Sequence, residues 1–131
     1  MKRMTLKDLN LIHNKCLNLV RRKPPNFFIF RKLGGYYGLC DYEKDVVELD
    51  HRRDVLRTAY HECVHYLYPE WCETQVLYVE SRLVNVLSLF DITKFLKYLA
   101  IKLYKSELQK KFLQTKKKKR KKKKIYKKNI K

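Results

Sequence analysis

The chain has 131 residues, enough for one small domain, and 45% of them are hydrophobic, which excludes a wholly disordered protein. Its formal net charge is +19, and 12 of the 32 Lys and Arg residues lie in 116–131. This excess indicates an acidic partner or an anionic surface. No run of 18 apolar residues and no signal-like start is present, so we expect an intracellular protein without a transmembrane segment.

The first third of the chain predicts one helix and three strands. Apolar residues recur at helical spacing from Thr5 to about Arg22, where Pro24 and Pro25 stop the helix. Short aromatic and β-branched runs then predict strands, the last two as a hairpin. The predicted strands cover Asn26–Arg31, Tyr36–Tyr42 and Val46–Leu49.

After Asp50 the apolar period becomes helical. One helix of about four turns should end before Pro69, a second should run from Glu73 to about Phe90, and a third from Asp91 to about Gln114. This order predicts an α+β fold over residues 1–115, with a small antiparallel or mixed sheet. The four cysteines have no C-x-x-C spacing and are expected to be reduced thiols; they are Cys16, Cys40, Cys63 and Cys72.

Residues 116–131 form a Lys-rich tail that we expect to be disordered, because like charges repel and little apolar surface is available to bury. The helix before the tail also carries lysines beside its apolar residues. Helix and tail together could bind nucleic acid or another anionic surface. Such binding would be sensitive to salt and would not depend on sequence. A tail that only adds solubility is the alternative.

The motif that indicates chemistry is H-E-x-x-H at His61, Glu62 and His65. Two histidines four residues apart on a helix lie one turn apart, so both imidazoles can bind one zinc ion, while the glutamate can act as general base toward water. The motif lies on the polar side of its predicted helix. Two surface histidines on an amphipathic helix are the alternative interpretation.

A catalytic zinc ion needs a third protein ligand. Both remaining histidines, His13 and His51, precede the motif, so we expect a carboxylate from the following fifteen residues. Glu73 is the first choice, because it lies where the next helix should begin. Glu80 is the second choice or a residue that supports a ligand, and Glu70 is more readily explained as a solvated turn residue.

The stretch Thr58–Pro69, with Gly38, Val46–Leu49, Glu73 and Val76, resembles the zincin metallopeptidases. Within them it is similar to small gluzincin-like proteins of phage and bacterial genomes, and distantly to SprT-like and ImmA/IrrE-like peptidases. The resemblance covers about a third of the chain.

The resemblance implies a minimal zincin-like domain, with a small sheet on the active-site helix. It implies zinc bound by His61, His65 and a glutamate of the next helix, Glu62 as general base, and a peptide substrate at the edge of the strand before that helix. A tyrosine should stabilise the oxyanion, and Tyr68 is preferred because it shares the side of the helix with the histidines. The other candidates are Tyr60, Tyr66 and Tyr78.

The sequence therefore supports two alternative functions. The first is a zinc-dependent metallopeptidase that hydrolyses peptide bonds. The second is a nucleic-acid-binding protein whose metal site is structural or vestigial. A complete, closed set of ligands would favour the second, because catalytic zinc keeps an open position.

Overall fold

The computed structural model describes residues 1–52 and 54–129, with side chains through residue 121. It is a small α+β domain of four helices and one three-stranded sheet, as predicted. A short 3₁₀ turn, Pro25–Phe27, precedes the first strand. The elements are α1 Leu6–Arg22, β1 Phe28–Phe30, β2 Gly38–Asp41, β3 Val46–Leu49, α2 Val55–Leu67, α3 Glu73–Val86 and α4 Leu89–Asn129.

The first helix begins and ends where its sequence signals lie. Thr5 caps α1 by accepting a hydrogen bond from the backbone of Asp8, whose carboxylate accepts one from the backbone of Thr5. The helix ends at Arg22, before the two prolines. Its buried apolar side faces α2, α3 and α4, so α1 closes one side of the core.

The sheet is mixed, with the strand order β1-β3-β2. The predicted hairpin is confirmed, since β2 and β3 pair antiparallel with Gly38 opposite Leu49. On its other side β3 pairs parallel with β1, with Phe28 opposite Val47. The tight turn of the hairpin contains Asp45 at φ 54°, a left-handed conformation that aspartate tolerates better than most residues.

The central position of β3 corrects one expectation. The strand directly before the active-site helix was expected to offer its edge to a peptide, but both edges of β3 already pair with neighbouring strands. Within the described part of the sheet, the free edge beside α2 belongs to β2 instead. Any peptide that extends this sheet on that side must therefore add to Gly38–Asp41.

Gly38 allows β2 to lie close against α2. A Cβ atom at this position would lie 2.7 Å from Cγ2 of Thr58 and 2.9 Å from Cγ of Glu62. Separations this short require the strand or the helix to move. The missing side chain at Gly38 therefore sets the distance between the edge strand and the helix that bears the motif.

The boundary between the last two helices differs from the prediction. The helix expected to reach about Phe90 ends at Val86, and the next one begins at Leu89 rather than Asp91. The cause is a cap at Ser88, whose hydroxyl donates to the Asp91 carboxylate and accepts from the Asp91 backbone N–H.

The fourth helix also continues further than expected. We expected it to end near Gln114 and residues 116–131 to be disordered, but α4 runs to Asn129. Lysine is a good helix former, and neither glycine nor proline interrupts this segment. Residues 130–131 lie outside the described residues. The described helices include none with a stretch long and apolar enough to cross a membrane.

Candidate metal centre

Helix α2 holds the two motif histidines one turn apart. Their ring centroids are 4.7 Å apart, and both side chains are largely buried, with 13% and 21% exposed for His61 and His65. The opposite side of the helix is anchored in the core by the fully buried Tyr60, Cys63 and Val64. The rings therefore occupy a fixed surface of the helix, as the spacing predicted.

Glu73 closes the group as the first residue of α3. Its Oε1 lies 2.9 Å from Nε2 of His61, and its Oε2 lies 2.7 Å from Nε2 of His65. The short turn after α2, with the Trp71 N–H donating to the Tyr68 carbonyl, brings the start of α3 back to the histidines. The structure thus brings together the three residues that the sequence proposed as metal ligands.

The chemistry of this donor set fits a zinc ion. Two imidazole nitrogens and one carboxylate oxygen lie within 4.8 Å of one another. Ligand atoms around tetrahedral zinc lie about 3.3 Å apart, so the Glu73 carboxylate would have to withdraw by about half an ångström to admit the ion. Glu73 is 60% exposed at a helix terminus, where such a movement meets little resistance.

Glu80 supports His61 from the other side of the ring. Its Oε2 lies 3.8 Å from Nδ1 of His61, and its side chain is only 12% exposed. Arg57 lies 3.8 Å from the other carboxylate oxygen and balances its charge. Glu80 is therefore placed to orient an imidazole rather than to join the three-residue group, and Glu70 is exposed outside that group.

The charged groups around His61 favour the protonated form of its ring. Burial lowers the pKa of His61, but the nearby carboxylates of Glu80, Glu73 and Glu62 outweigh it, so the pKa is raised. Several carboxylates around an imidazole make a site that attracts positive charge. The same carboxylates would attract a divalent cation.

Glu62 lies beside this group and is only 6% exposed. Burial raises the pKa of its carboxyl group to about 7, with the charges of Glu73 and Glu80 adding to the effect and that of His61 opposing it. A carboxyl group that titrates near neutrality can both accept and return a proton at that pH. This is the property expected of a general base.

The four residues open onto one cavity of about 620 Å³ between β2, α2 and α3. Large apolar and aromatic side chains form much of its wall and are themselves partly exposed to solvent. These side chains belong to Tyr36, Tyr37, Leu39, Tyr42 and Leu77. The cavity is large enough for a few residues of a peptide and has one wall made by the free edge of β2.

Tyr68 is not at this site, contrary to expectation. It follows the last helical residue, Leu67, and its backbone leaves the helix, so helical spacing no longer determines where its side chain points. Its ring stacks on Trp71 at 4.1 Å. The other candidates also have partners elsewhere: Tyr60 with His13, Tyr66 with Asp45 and Tyr78 with the Met4 backbone.

Sequence reasoning missed Tyr42, which lines the cavity. Its hydroxyl donates a 2.6 Å hydrogen bond to the His65 carbonyl. Burial, together with the nearby Cys40 and Glu62, raises the pKa of Tyr42 to about 12, so the phenol remains a donor at neutral pH. No local motif marks this residue; only the pairing of β2 at the sheet edge brings it to α2.

No protein-family model, curated protein or solved structure matches this chain.

Proposed function

We propose that this protein is a zinc-dependent metallopeptidase of the zincin type. The observation that supports the proposal is the meeting of His61, His65 and Glu73 with the buried Glu62 at one open cavity. Two imidazoles and a carboxylate leave a zinc ion one position for water or substrate. A fourth protein ligand, which would mark a structural site, is absent from this group among the described residues.

Zinc bound by these three residues would lower the pKa of water toward ~7 and polarise a carbonyl group. Glu62 would then take the proton from the attacking water and return it to the nitrogen of the departing amine. Burial favours the protonated form of Glu62 and the charge of a bound zinc ion would favour the ionised form, so the carboxyl group is suited to take up and return a proton. The carboxylate of Glu80 beside Nδ1 would favour the tautomer of His61 whose Nε2 can bind the ion.

The substrate in this proposal is an extended peptide that adds to the free edge of β2. Backbone hydrogen bonds along Gly38–Asp41 would give affinity without demanding one sequence. Because Gly38 contacts the side of α2 that bears Glu62, a peptide on this edge would run past the general base. The Tyr42 hydroxyl, at the end of the same edge, is the donor we propose for the developing oxyanion, to which it would turn from the His65 carbonyl that accepts its one proton here.

The test combines metal analysis with hydrolysis of unfolded casein by the purified full chain. Wild type and Glu62→Gln should each hold one zinc ion, whereas His65→Ala should lose it. Only wild type should cleave casein. A matched control is His51→Ala, which removes an exposed histidine from a loop and should retain both metal and activity. Equal zinc content in wild type and His65→Ala would refute the ligand assignment.

A second candidate function rests on charge. The tail and the lysines of α4 favour a polyanion-binding protein whose metal site is structural or vestigial. This alternative predicts tight, salt-sensitive binding of duplex DNA and no hydrolysis of casein by zinc-loaded wild type. Loss of hydrolysis in Glu62→Gln with zinc retained would favour the peptidase.

A further inference from the structure

The charge of the chain is concentrated in its last forty residues, 92–131, most of which belong to α4. Residues 92–131 contain 18 Lys and Arg residues and one acidic residue, Glu107, a net charge of +17. Residues 1–91 contain 14 basic and 12 acidic residues, a net charge of +2. Glu107 is itself paired with Lys110 at 3.2 Å. The domain body is therefore nearly neutral, and α4 is its cationic element.

Among its described side chains, helix α4 packs on the body only along its first half. Phe95 and Leu99 are fully or almost fully buried against the core, and Ser106 is the last buried side chain. Every described side chain from Glu107 to Lys121 is exposed. From Glu107 to Lys121 the helix therefore lacks contacts that would cover an apolar residue.

An apolar stripe nevertheless runs along the outer side of α4. We call it the outer stripe; it consists of Ile101, Tyr104, Leu108 and Phe112, which are 37%, 67%, 48% and 61% exposed. Steps of three, four and four residues at about 100° per residue keep these side chains on one side of the helix. That side lies opposite Phe95 and Leu99, so folding of the body cannot cover it.

Cations border the outer stripe on both sides. At helical spacing Lys111 lies along one side of it and Lys105 along the other, and Lys97 lies in line with it one turn before Ile101, all with exposed side chains. Lys116 Nζ lies 4.6 Å from the ring centroid of Phe112. An exposed apolar stripe bordered by lysines is the pattern of a helix that lies in the interface of a membrane.

We propose that α4 binds the surface of an anionic lipid bilayer, with the outer stripe inserted among the lipids and the lysines on the headgroups. The helix would lie parallel to the surface, with the domain body on its solvent side. A duplex nucleic acid would neutralise the lysines but leave the outer stripe in water. A second copy would cover the stripe but bring two 92–131 segments, each of net charge +17, close together.

Co-sedimentation of the full chain with vesicles tests this proposal. We expect wild type to bind phosphatidylcholine vesicles that contain about 30% phosphatidylserine, and to bind pure phosphatidylcholine far more weakly. The double variant Leu108→Ser/Phe112→Ser keeps every charge and should lower the partition coefficient about tenfold or more. The matched control, Leu89→Ser/Leu113→Ser, removes two exposed leucines that lie off the stripe and should change it less than about twofold.

Three results would overturn the proposal. The first is absence of binding to the anionic vesicles. The second is equal binding by wild type and Leu108→Ser/Phe112→Ser, which would show that the lysines alone bind the vesicles and that the outer stripe does not insert. The third is a loss of duplex DNA affinity or of self-association in that variant with vesicle binding unchanged, which would assign the outer stripe to another partner. Zinc content serves as a separate readout, because these variants leave the metal centre intact.

Discussion

Oε2 of Glu80 lies 3.8 Å from Nδ1 of His61, while Nε2 of the same ring lies 2.9 Å from Oε1 of Glu73. The imidazole thus has a carboxylate on each of its two nitrogens. Glu80 lies beside Nδ1, and Nε2 is the nitrogen that meets Glu73 at the cavity. A carboxylate behind a metal-binding histidine fixes the tautomer and makes the ligand more basic.

Replacement of Glu80 should therefore weaken zinc binding without abolishing it. We expect Glu80→Ala to raise the zinc dissociation constant about 10- to 100-fold, measured by competition with a chromophoric chelator. Glu70→Gln is the matched control, since it removes an exposed carboxylate outside the three-residue group. Equal affinity in Glu80→Ala and wild type would remove Glu80 from the metal centre.

Tyr42 and Tyr68 give a paired test of the oxyanion donor. Tyr42 lines the cavity, whereas the Tyr68 ring stacks on Trp71 outside it. We expect Tyr42→Phe to lower kcat for peptide hydrolysis about a hundredfold, because one donor to the transition state is lost. Tyr68→Phe should leave kcat unchanged.

A measurement of the unfolding free energy distinguishes a structural role of Tyr42 from a catalytic one. Its hydroxyl also donates to the His65 carbonyl, and loss of that bond should cost about 1 kcal/mol at most. A stability loss of this size with normal kcat would limit Tyr42 to support of α2.

Local patterns were sufficient to predict most of the helices and the histidine pair. The spacing of His61 and His65 depends only on helix geometry, and Glu73 follows from the turn between two helices that each have an apolar period. The Thr5 cap and the two prolines likewise mark α1 within the sequence itself. These features depend on residues within a few positions of one another.

The sheet order and the side-chain partners at the cavity were not predictable in this way. The parallel pairing of Phe28 with Val47 joins segments nineteen positions apart, and no short-range pattern specifies it. That pairing makes β3 central and leaves β2 at the edge, which in turn brings Tyr42 to α2. The same limit applies to Tyr68, because helical spacing does not extend beyond Leu67.

Gly38 should tolerate no side chain. A Cβ there would approach Thr58 Cγ2 and Glu62 Cγ within 3 Å, so we expect Gly38→Ala to lower the unfolding free energy by about 1–3 kcal/mol. Displacement of β2 from Glu62 should also lower kcat/KM. Urea unfolding and peptide hydrolysis measure the two effects.

Gly34→Ala and Gly35→Ala are the controls for this substitution. A Cβ at either position meets no atom within 4 Å, and neither residue has positive φ. Both variants should be at least as stable as wild type, because alanine reduces the freedom of the unfolded chain. Destabilisation equal to that of Gly38→Ala would show that loss of the glycine, rather than the close approach to α2, is responsible.

Asp50 should determine how the fold responds to acid. Its buried carboxylate accepts hydrogen bonds from the Arg52 side chain and from the backbone N–H groups of Arg52 and Leu33. The Arg52 hydrogen bonds hold the pKa of Asp50 well below its usual range, with the backbone donors adding to the effect and burial opposing it. The ionised form is thus favoured in the folded chain, and its stabilising contribution is complete above the unfolded pKa of about 3.9.

This contribution should disappear as the pH falls below about 4 toward the lower folded pKa of Asp50. Urea unfolding of wild type should therefore show a steep loss of stability in that range. Asp50→Asn removes the titrating group and should be less stable than wild type at pH ~7, while the difference between the two narrows as the pH falls. Asp41→Asn, a carboxylate on the edge strand with a single hydrogen bond to Lys44, is the control and should follow the wild-type curve. A stability difference between Asp50→Asn and wild type that is the same at both ends of the pH range would contradict this role of the Asp50 charge.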